Sequence, residues 1–204
     1  MPVSERVLQV EADGGSRGNP GVAGYGALVR DPATGKILDI DAAPLGRASN
    51  NVAEYSGLVA GLTMARNLDP EARVHVKMDS KLVVEQMSGR WKIKHADMQK
   101  LAGQARAILP PGKVTYEWIP REKNKDADLL SNEAMDAGAS GRAWVRANSG
   151  IRVAGATTGT GGSTATRTAK AAPEPAQKPA QQAGREEPAS AETVAAAGDS
   201  AGRP

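Results

Sequence analysis

Residues 11–21 read EADGGSRGNPG, and they place a carboxylate, Asp13, directly before a run of glycine and polar residues. The residues before it, RVLQVEA (6–12), show the apolar alternation of a half-buried strand. The glycines, the serine and the Asn-Pro-Gly sequence that follow are typical of a loop. We therefore predict that the first strand ends at Asp13 and that a permissive loop follows it.

Further along the chain, the spacing of apolar residues predicts four more strands and four helices. The element order is βββαβααβα, which predicts an α/β fold with a mixed five-stranded sheet flanked by helices. The first three strands are expected to form an antiparallel meander. The strands are predicted at 22–30, 36–42, 72–79 and 113–120, and the helices at 49–68, 80–89, 96–109 and 124–138.

The end of the chain differs in composition from the rest. Residues 148–204 contain almost no large apolar side chain and are rich in Ala, Gly, Pro and Gln. Such a segment cannot bury enough apolar surface to offset its conformational entropy. We predict a folded domain over residues 1–147 and a disordered low-complexity tail or linker over residues 148–204.

Charge and composition exclude several classes of protein. The net charge is +3, from 26 Lys and Arg against 23 Asp and Glu, so any basic surface for nucleic acid must be local. The chain has no cysteine, which excludes disulfides and thiolate metal sites. There is no apolar run of the roughly 20 residues that a membrane helix needs, and no signal-peptide core at the N-terminus. We expect a soluble cytoplasmic protein with no membrane partner.

Four acidic residues fall at the ends of predicted elements: Asp13 and Asp79 at strand ends, and Glu54 and Asp128 early in helices. Sites in open sheets gather where strands end and helices begin. Four carboxylates brought together without cations would repel one another. Oxygen-only ligation favours Mg²⁺ or Mn²⁺, and two such ions can promote phosphodiester hydrolysis. The four acids therefore indicate a metal-dependent nuclease site.

Each acid also has a structural interpretation. Asp79 is suited to cap the helix that follows it. Glu54 and Asp128 lie near helix N-termini, where any acid interacts favourably with the helix dipole. Asp13 is suited to open an Asx turn. None of the four is decisive alone.

Taken together, four motifs resemble those of ribonuclease H type 1: DGGSRGNPG (13–21), SNNVAE (49–54), DSKLVVEQ (79–86) and NKDADLLS (124–131). The match is to a prokaryotic, archaeal-like branch, and to the N-terminal domain of actinobacterial ribonuclease H/acid phosphatase fusions. It implies a ribonuclease H-like fold and a two-metal-ion endonuclease that hydrolyses the RNA strand of RNA/DNA hybrids. Mg²⁺ is the implied cofactor, with Mn²⁺ as an alternative. The implied catalytic, metal-binding residues are Asp13, Glu54, Asp79 and Asp128.

The loop IPREKNKDAD (119–128) departs from many family members, which carry a histidine there that is thought to assist product release. The archaeal-like branch carries arginine, and Arg121 would fill that position. Because arginine cannot relay a proton near neutral pH, we predict that Arg121 handles phosphate. A solvated loop charge is the alternative. Asp126 is interpreted as a spare acid.

A nuclease that selects hybrids must test for 2′-hydroxyl groups without reading the base sequence. Asn19, Asn50 and Asn51 suit this task because an amide both donates and accepts hydrogen bonds. One of the adjacent pair is also expected to cap the helix. Gly14 and Gly15 are predicted to let a phosphate or sugar approach the backbone beside the first acid.

The long basic handle of some bacterial members is missing, and only RWKIKH (90–95) remains. Arg90, Lys92 and Lys94 would contact phosphates of the DNA strand while Trp91 packs on a sugar. Alternatively, Trp91 and Ile93 are core residues and the cations are solvated. The sequence leaves both interpretations open.

Two other functions share the fold. A non-catalytic hybrid-binding module is disfavoured because all four acids are present. Another nuclease of the same superfold, such as an integrase or an exonuclease, is disfavoured by SNNVAE and GNPG. The tail resembles the linkers that join such domains to phosphatases of the phosphoglycerate-mutase-like class. No RHG-type phosphatase motif is present, so no second activity is assigned to this chain. The resemblance of the tail to a linker indicates a link to a further domain that is not present in this chain.

Overall fold

The computed structural model describes residues 5–110 and 112–155. Within these residues, the chain forms the predicted order of five strands and four helices. No helix in this part of the chain is both long enough and apolar enough to cross a membrane. The strands are β1 (Val7–Gly18), β2 (Gly21–Arg30), β3 (Ile37–Ala48), β4 (Arg73–Met78) and β5 (Val114–Trp118), and the helices are α1 (Asn50–Leu68), α2 (Lys81–Met87), α3 (Ala96–Ile108) and α4 (Lys125–Ala139).

The five strands form one mixed sheet in the order β3-β2-β1-β4-β5. β1 is central, and it pairs antiparallel with β2, which pairs antiparallel with β3. The predicted meander is therefore confirmed. β4 is parallel to both β1 and β5. Parallel neighbours need a long crossover, and α1 and the α2–α3 pair supply the two crossovers.

The predicted end of the first strand at Asp13 is wrong. β1 continues to Gly18, and Asp13 pairs with Gly26 of β2. Glycine and serine have low strand propensity, so the segment looks like a loop in the sequence. Pairing with β2 keeps it extended. The strand that does end here is β4, because its pairing with β1 stops at Glu11 and Lys77. Asp13 thus lies where one neighbour of the central strand has ended.

α1 and α4 cover opposite faces of the sheet. Val10 and Ala12 of β1 belong to the main apolar core, which α1 covers. Gly61 allows this approach, since an added Cβ would lie 2.5 Å from Cγ1 of Val10. The next residue of β1 after Ala12 is Asp13, whose side chain points to the opposite face and accepts a hydrogen bond from Ser131 of α4. The N-terminal ends of both helices therefore meet at the same end of the sheet.

Contacts of the domain continue past the predicted boundary at residue 147. The backbone N–H of Gly150 donates to Oε1 of Glu133 at 2.8 Å. The backbone N–H of Ala154 donates to the carbonyl of Ile37 at 2.7 Å. The first residues of the predicted tail are thus bonded to the domain. The rest of that tail, residues 156–204, lies outside the described residues.

Candidate active site

An open cavity of about 240 Å³ lies at the end of β4. Asp13 reaches it from β1, and Asp79 reaches it from the position directly after β4. Glu54 reaches it from the second turn of α1, and Asp128 from the first turn of α4. The structure thus brings together the four acids that the sequence singled out. The other lining residues are Gly14, Gly15, Ser16, Arg17, Asn50, Arg121, Ser131, Asn132 and Met135.

The position of Glu54 depends on Gly14. A Cβ added to Gly14 would lie 2.1 Å from the carbonyl carbon of Ala53 and 2.2 Å from the nitrogen of Glu54. The space beside Gly14 therefore belongs to the backbone of α1, although Gly14 also lines the cavity, and its contact with substrate stays a prediction. Gly15 faces the side chain of Met135, whose Cε would lie 2.6 Å from an added Cβ.

Two serines hold two of the carboxylates. The hydroxyl of Ser131 donates to Oδ2 of Asp13 at 2.5 Å. The hydroxyl of Ser80 donates to Oε2 of Glu54, and the amide of Asn50 donates to Oε1 of Glu54 at 2.9 Å. These partners are neutral, so they orient the two acids without cancelling their charge.

Asp79 is not the helix cap that its position suggested. Ser80 caps α2 instead, with its hydroxyl accepting from the N–H of Val83 at 3.4 Å. The carboxylate of Asp79 accepts from Nδ2 of Asn124 at 2.8 Å. Its backbone carbonyl accepts from the indole N–H of Trp118 at 3.0 Å. The Asp79 side chain therefore remains directed to the site.

Asp128 is the acid with a cationic partner. The guanidinium of Arg121 donates from Nη2 to Oδ1 of Asp128. The charge of Asp128 is the main cause that raises the pKa of Arg121, so this side chain stays protonated. Its side chain is 71% exposed, at the rim of the cavity. The loop arginine thus contacts the site and is not an isolated solvated charge.

The electrostatics of the cavity favour a cation. Burial raises the pKa of Glu54 to about 7, and the charges of Asp13 and Asp79 add to the rise against the hydrogen bond from Ser80. Burial also raises the pKa of Asp13, with further contributions from Asp79 and Asp128. Mutual repulsion of this kind is relieved when a divalent ion binds.

The donor set fits Mg²⁺ or Mn²⁺, since four carboxylates offer only oxygen ligands at a cavity open to solvent. Across residues 5–110 and 112–155, no three acidic or histidine side chains are already arranged to hold one ion. Each of the four acids instead accepts a hydrogen bond from a protein donor.

The three predicted asparagines have different surroundings. Ser49 caps α1 by accepting from the N–H of Val52 at 3.3 Å, so the expected capping by Asn50 or Asn51 is wrong. Asn50 lines the cavity, whereas Asn51 is half-buried outside it. Oδ1 of Asn19 accepts from the backbone N–H of Asn50 at 3.2 Å. This bond ties the β1–β2 turn to the start of α1.

Within the segment RWKIKH, some residues fit the core interpretation and others fit the surface-contact interpretation. Ile93 packs against the main core, as the structural interpretation expected. Trp91 is 48% exposed, and Lys92 and Lys94 are also exposed. These three side chains lie on the surface outside the cavity.

Three residues that contact the acids were missed in the sequence: Ser80, Asn124 and Ser131. Each lies in a sequence motif that also contains one of the four acids, but the motif gave it no role of its own. The signal that could have found them is their adjacency to Asp79 and Asp128 together with side chains that donate hydrogen bonds. Their burial, which makes those bonds matter, is a tertiary property.

The sheet order and the acid-lined end of the central strand define a ribonuclease H-like domain. The sequence model of the family described as reverse transcriptase-like matches residues 11–134. The bifunctional protein Rv2228c of Mycobacterium tuberculosis is 56% identical over 131 residues, which are 64% of this chain and 36% of that protein. Ribonuclease HI of Halobacterium salinarum is 36% identical over 127 residues, covering 61% of this chain and 62% of that protein.

Solved structures agree with the sequence comparisons. The N-terminal RNase H domain of Rv2228c matches with a TM-score of 0.64 and 53% identity, over 67% of this chain and 99% of that one. LC11-RNase H1, solved in complex with RNA/DNA hybrid, matches with a TM-score of 0.61 and 36% identity, over 65% of this chain and 99% of that one. The chain belongs to the ribonuclease H type 1 family, and it spans about a third of the length of the mycobacterial relatives.

Proposed function

We propose that this chain is an endonuclease that hydrolyses the RNA strand of RNA/DNA hybrids with the help of divalent metal ions. The observation that carries the proposal is the meeting of Asp13, Glu54, Asp79 and Asp128 in one open cavity. The name of the Halobacterium relative and the hybrid bound to LC11-RNase H1 support the same substrate class.

In this proposal the four acids hold two Mg²⁺ ions, and Mn²⁺ can replace them. The ions would supply the Lewis acid that phosphodiester hydrolysis requires. Ser131 and Ser80 keep Asp13 and Glu54 oriented. Arg121, exposed at the rim, binds a phosphate oxygen of the RNA strand, because its planar guanidinium pairs well with phosphate and stays protonated near neutral pH.

Selection of the hybrid is assigned to polar groups around the cavity. Asn50 lines the cavity beside Glu54 and is held in place by Asn19, so its amide is positioned to test for a 2′-hydroxyl group. Asn51 and the backbone of Gly15 are proposed to add to this contact. Trp91, Lys92 and Lys94 are proposed to bind the DNA strand, since all three are exposed.

A panel of labelled substrates tests the proposal. RNA/DNA hybrid, duplex RNA and duplex DNA are incubated with the chain, with Mg²⁺ or with a chelator. We expect cleavage of the RNA strand of the hybrid in Mg²⁺, no cleavage with the chelator, and intact duplex DNA. Binding of hybrid without cleavage would instead indicate a non-catalytic module, and cleavage of duplex DNA would indicate another nuclease class.

We also propose that the domain acts while linked to a further domain. Rv2228c is named a bifunctional protein, and the match covers 36% of its length. No residue in the described part of this chain identifies a second activity. The cytoplasmic location stays a prediction.

A further inference from the structure

Asn124 lies directly before α4 and is completely buried, with 0% of its surface exposed. Its Nδ2 donates two hydrogen bonds, one to Oδ1 of Asp79 at 2.8 Å and one to the backbone carbonyl of Ala12 at 3.0 Å. Asn124 is not among the residues that line the cavity. Any effect on the chemistry must therefore pass through the residues that it holds.

The orientation of this amide follows from its neighbours. Both groups that face Nδ2 accept hydrogen bonds, so a flipped amide would place oxygen against oxygen. In the present orientation Oδ1 is buried, and it has no hydrogen-bond partner within the residues that the structure describes. A buried acceptor without a partner is costly. The two hydrogen bonds that Nδ2 donates are thus formed although Oδ1 is left without a partner.

The backbone of Asn124 extends the connection to a third acid. Its carbonyl accepts the hydrogen bond from the N–H of Asp128 at 3.0 Å, in the first turn of α4. The side chain holds Asp79 directly and holds Ala12, the residue before Asp13. One buried residue therefore connects the central strand β1, the start of α4 and the carboxylate of Asp79.

We propose that Asn124 is a positioning residue that sets the relative placement of Asp13, Asp79 and Asp128 for metal binding. The proposal rests on the proposed function, because it assigns the metal to these acids. Asparagine satisfies the geometry, since one nitrogen supplies both donors from a short side chain. A serine supplies a single donor, and an ionised aspartate supplies none.

The test is Mn²⁺ binding in the absence of nucleic acid, measured by isothermal titration calorimetry on the full chain. The variants are Asn124→Asp, which has almost the same shape but loses the donors, and Asn124→Ala. Groups that orient metal ligands typically contribute about 10- to 100-fold to metal affinity. We expect the Kd for Mn²⁺ to rise by about that factor in both variants, at a temperature where circular dichroism shows them folded.

The matched control is Val74→Ala, a buried change near the other end of β4, which is expected to lower the melting temperature without touching the acids. We expect it to leave the Kd for Mn²⁺ unchanged. Equal weakening by Val74→Ala would overturn the proposal, since general destabilisation would then explain the effect. Unchanged binding in the Asn124 variants would overturn it as well.

A second variant keeps the test decisive if Asn124→Asp and Asn124→Ala do not fold. Asn124→Ser keeps one donor in a smaller side chain, and it should bind Mn²⁺ more weakly than the wild type. Wild-type affinity in Asn124→Ser would count against the positioning role. Failure of the wild-type chain itself to bind Mn²⁺ would instead remove the proposed metal site, so the two failures are distinguishable.

Discussion

β1 and α4 each carry a pair of acids that are two residues apart, and the two members of each pair have different roles. Glu11 and Asp13 lie on the same face of β1 and are 5% and 7% exposed. Asp126 and Asp128 both lie in the first turn of α4. One member of each pair meets Arg30, and the other faces the cavity. Burial alone does not separate them.

The members of each pair differ in the side chain that their carboxylate contacts. Nε of Arg30 donates to Oε1 of Glu11 at 2.8 Å, and Nη2 donates to Oδ2 of Asp126 at 2.7 Å. The bond to Glu11 is the main cause that raises the pKa of Arg30. Asp126 is thus not a spare acid, because it joins α4 to the sheet. Asp13 has only the neutral Ser131 as its side-chain partner among the described hydrogen bonds. An acid paired with the half-buried Arg30 supports the fold, whereas Asp13, which has no cationic partner among the described hydrogen bonds, and Asp128, whose partner Arg121 is exposed at the rim, remain available to a metal.

The first test of this difference replaces each of the two acids of α4 by its amide, one at a time. Asp128→Asn should lower Mg²⁺-dependent hybrid cleavage by about 1000-fold or more, roughly 4 kcal/mol of transition-state stabilisation, because a proposed metal ligand is lost. Asp126→Asn should stay within about threefold, because Arg30 keeps Glu11. Equal losses in the two variants, measured as initial cleavage rates, would contradict the assignment.

The second test removes the paired acid of β1. Glu11→Ala should lower the free energy of unfolding by about 2 kcal/mol, because Arg30 loses its hydrogen bonds to a buried carboxylate and keeps only the more exposed Asp126 as an ionic partner. Urea denaturation without metal measures this loss. Asp13→Asn, which removes one of four like charges, should not lower the unfolding free energy. If Asp13→Asn were instead less stable than Glu11→Ala, the pairing with Arg30 would not explain the different roles of the two acids.

The third test concerns the cation of the site. Arg121→Ala should reduce cleavage by about tenfold, or about 1.4 kcal/mol, mainly by raising the KM for hybrid, because the side chain is assigned to a phosphate. Lys123→Ala, in the same exposed loop, is the matched control and should behave as wild type. Identical kinetics for both variants would return Arg121 to the role of a surface charge.

The smallest effect is expected from the end of the chain. Removing residues 156–204 should change hybrid cleavage by no more than about twofold, as expected for a linker. Removing residues 148–204 should additionally cost about 1–2 kcal/mol of stability, because the bonds of Gly150 and Ala154 to the domain are lost. Urea denaturation of the two truncated chains separates these contributions. A large loss of activity in the shorter deletion would contradict the linker interpretation.

Much of the fold follows from the sequence, because apolar periodicity marks strands and helices over long stretches. The predictions that are wrong concern local structure that depends on a neighbouring strand or residue. Pairing with β2 extends β1 beyond Asp13, and Ser49 and Ser80 cap helices that their neighbours were expected to cap. The four acids were found because their motifs are local in sequence.

The partners of the acids could not be found in the same way. Asn124 and Ala12 are far apart in sequence, and only the folded sheet brings them within hydrogen-bond distance. The same holds for Arg30 and Asp126, whose pairing changes the interpretation of that acid. Residue type predicts what a side chain can do, but tertiary contacts decide which of two similar acids does it.

The most direct test of the central claim compares Asp13→Asn with Glu11→Gln, the two neighbouring acids of the central strand. Mg²⁺-dependent cleavage and binding of RNA/DNA hybrid are measured for both variants and the wild type, below their melting temperatures. The expected result is loss of cleavage with retained binding in Asp13→Asn, and cleavage close to wild type per folded molecule in Glu11→Gln. Near-normal cleavage by Asp13→Asn would contradict the account.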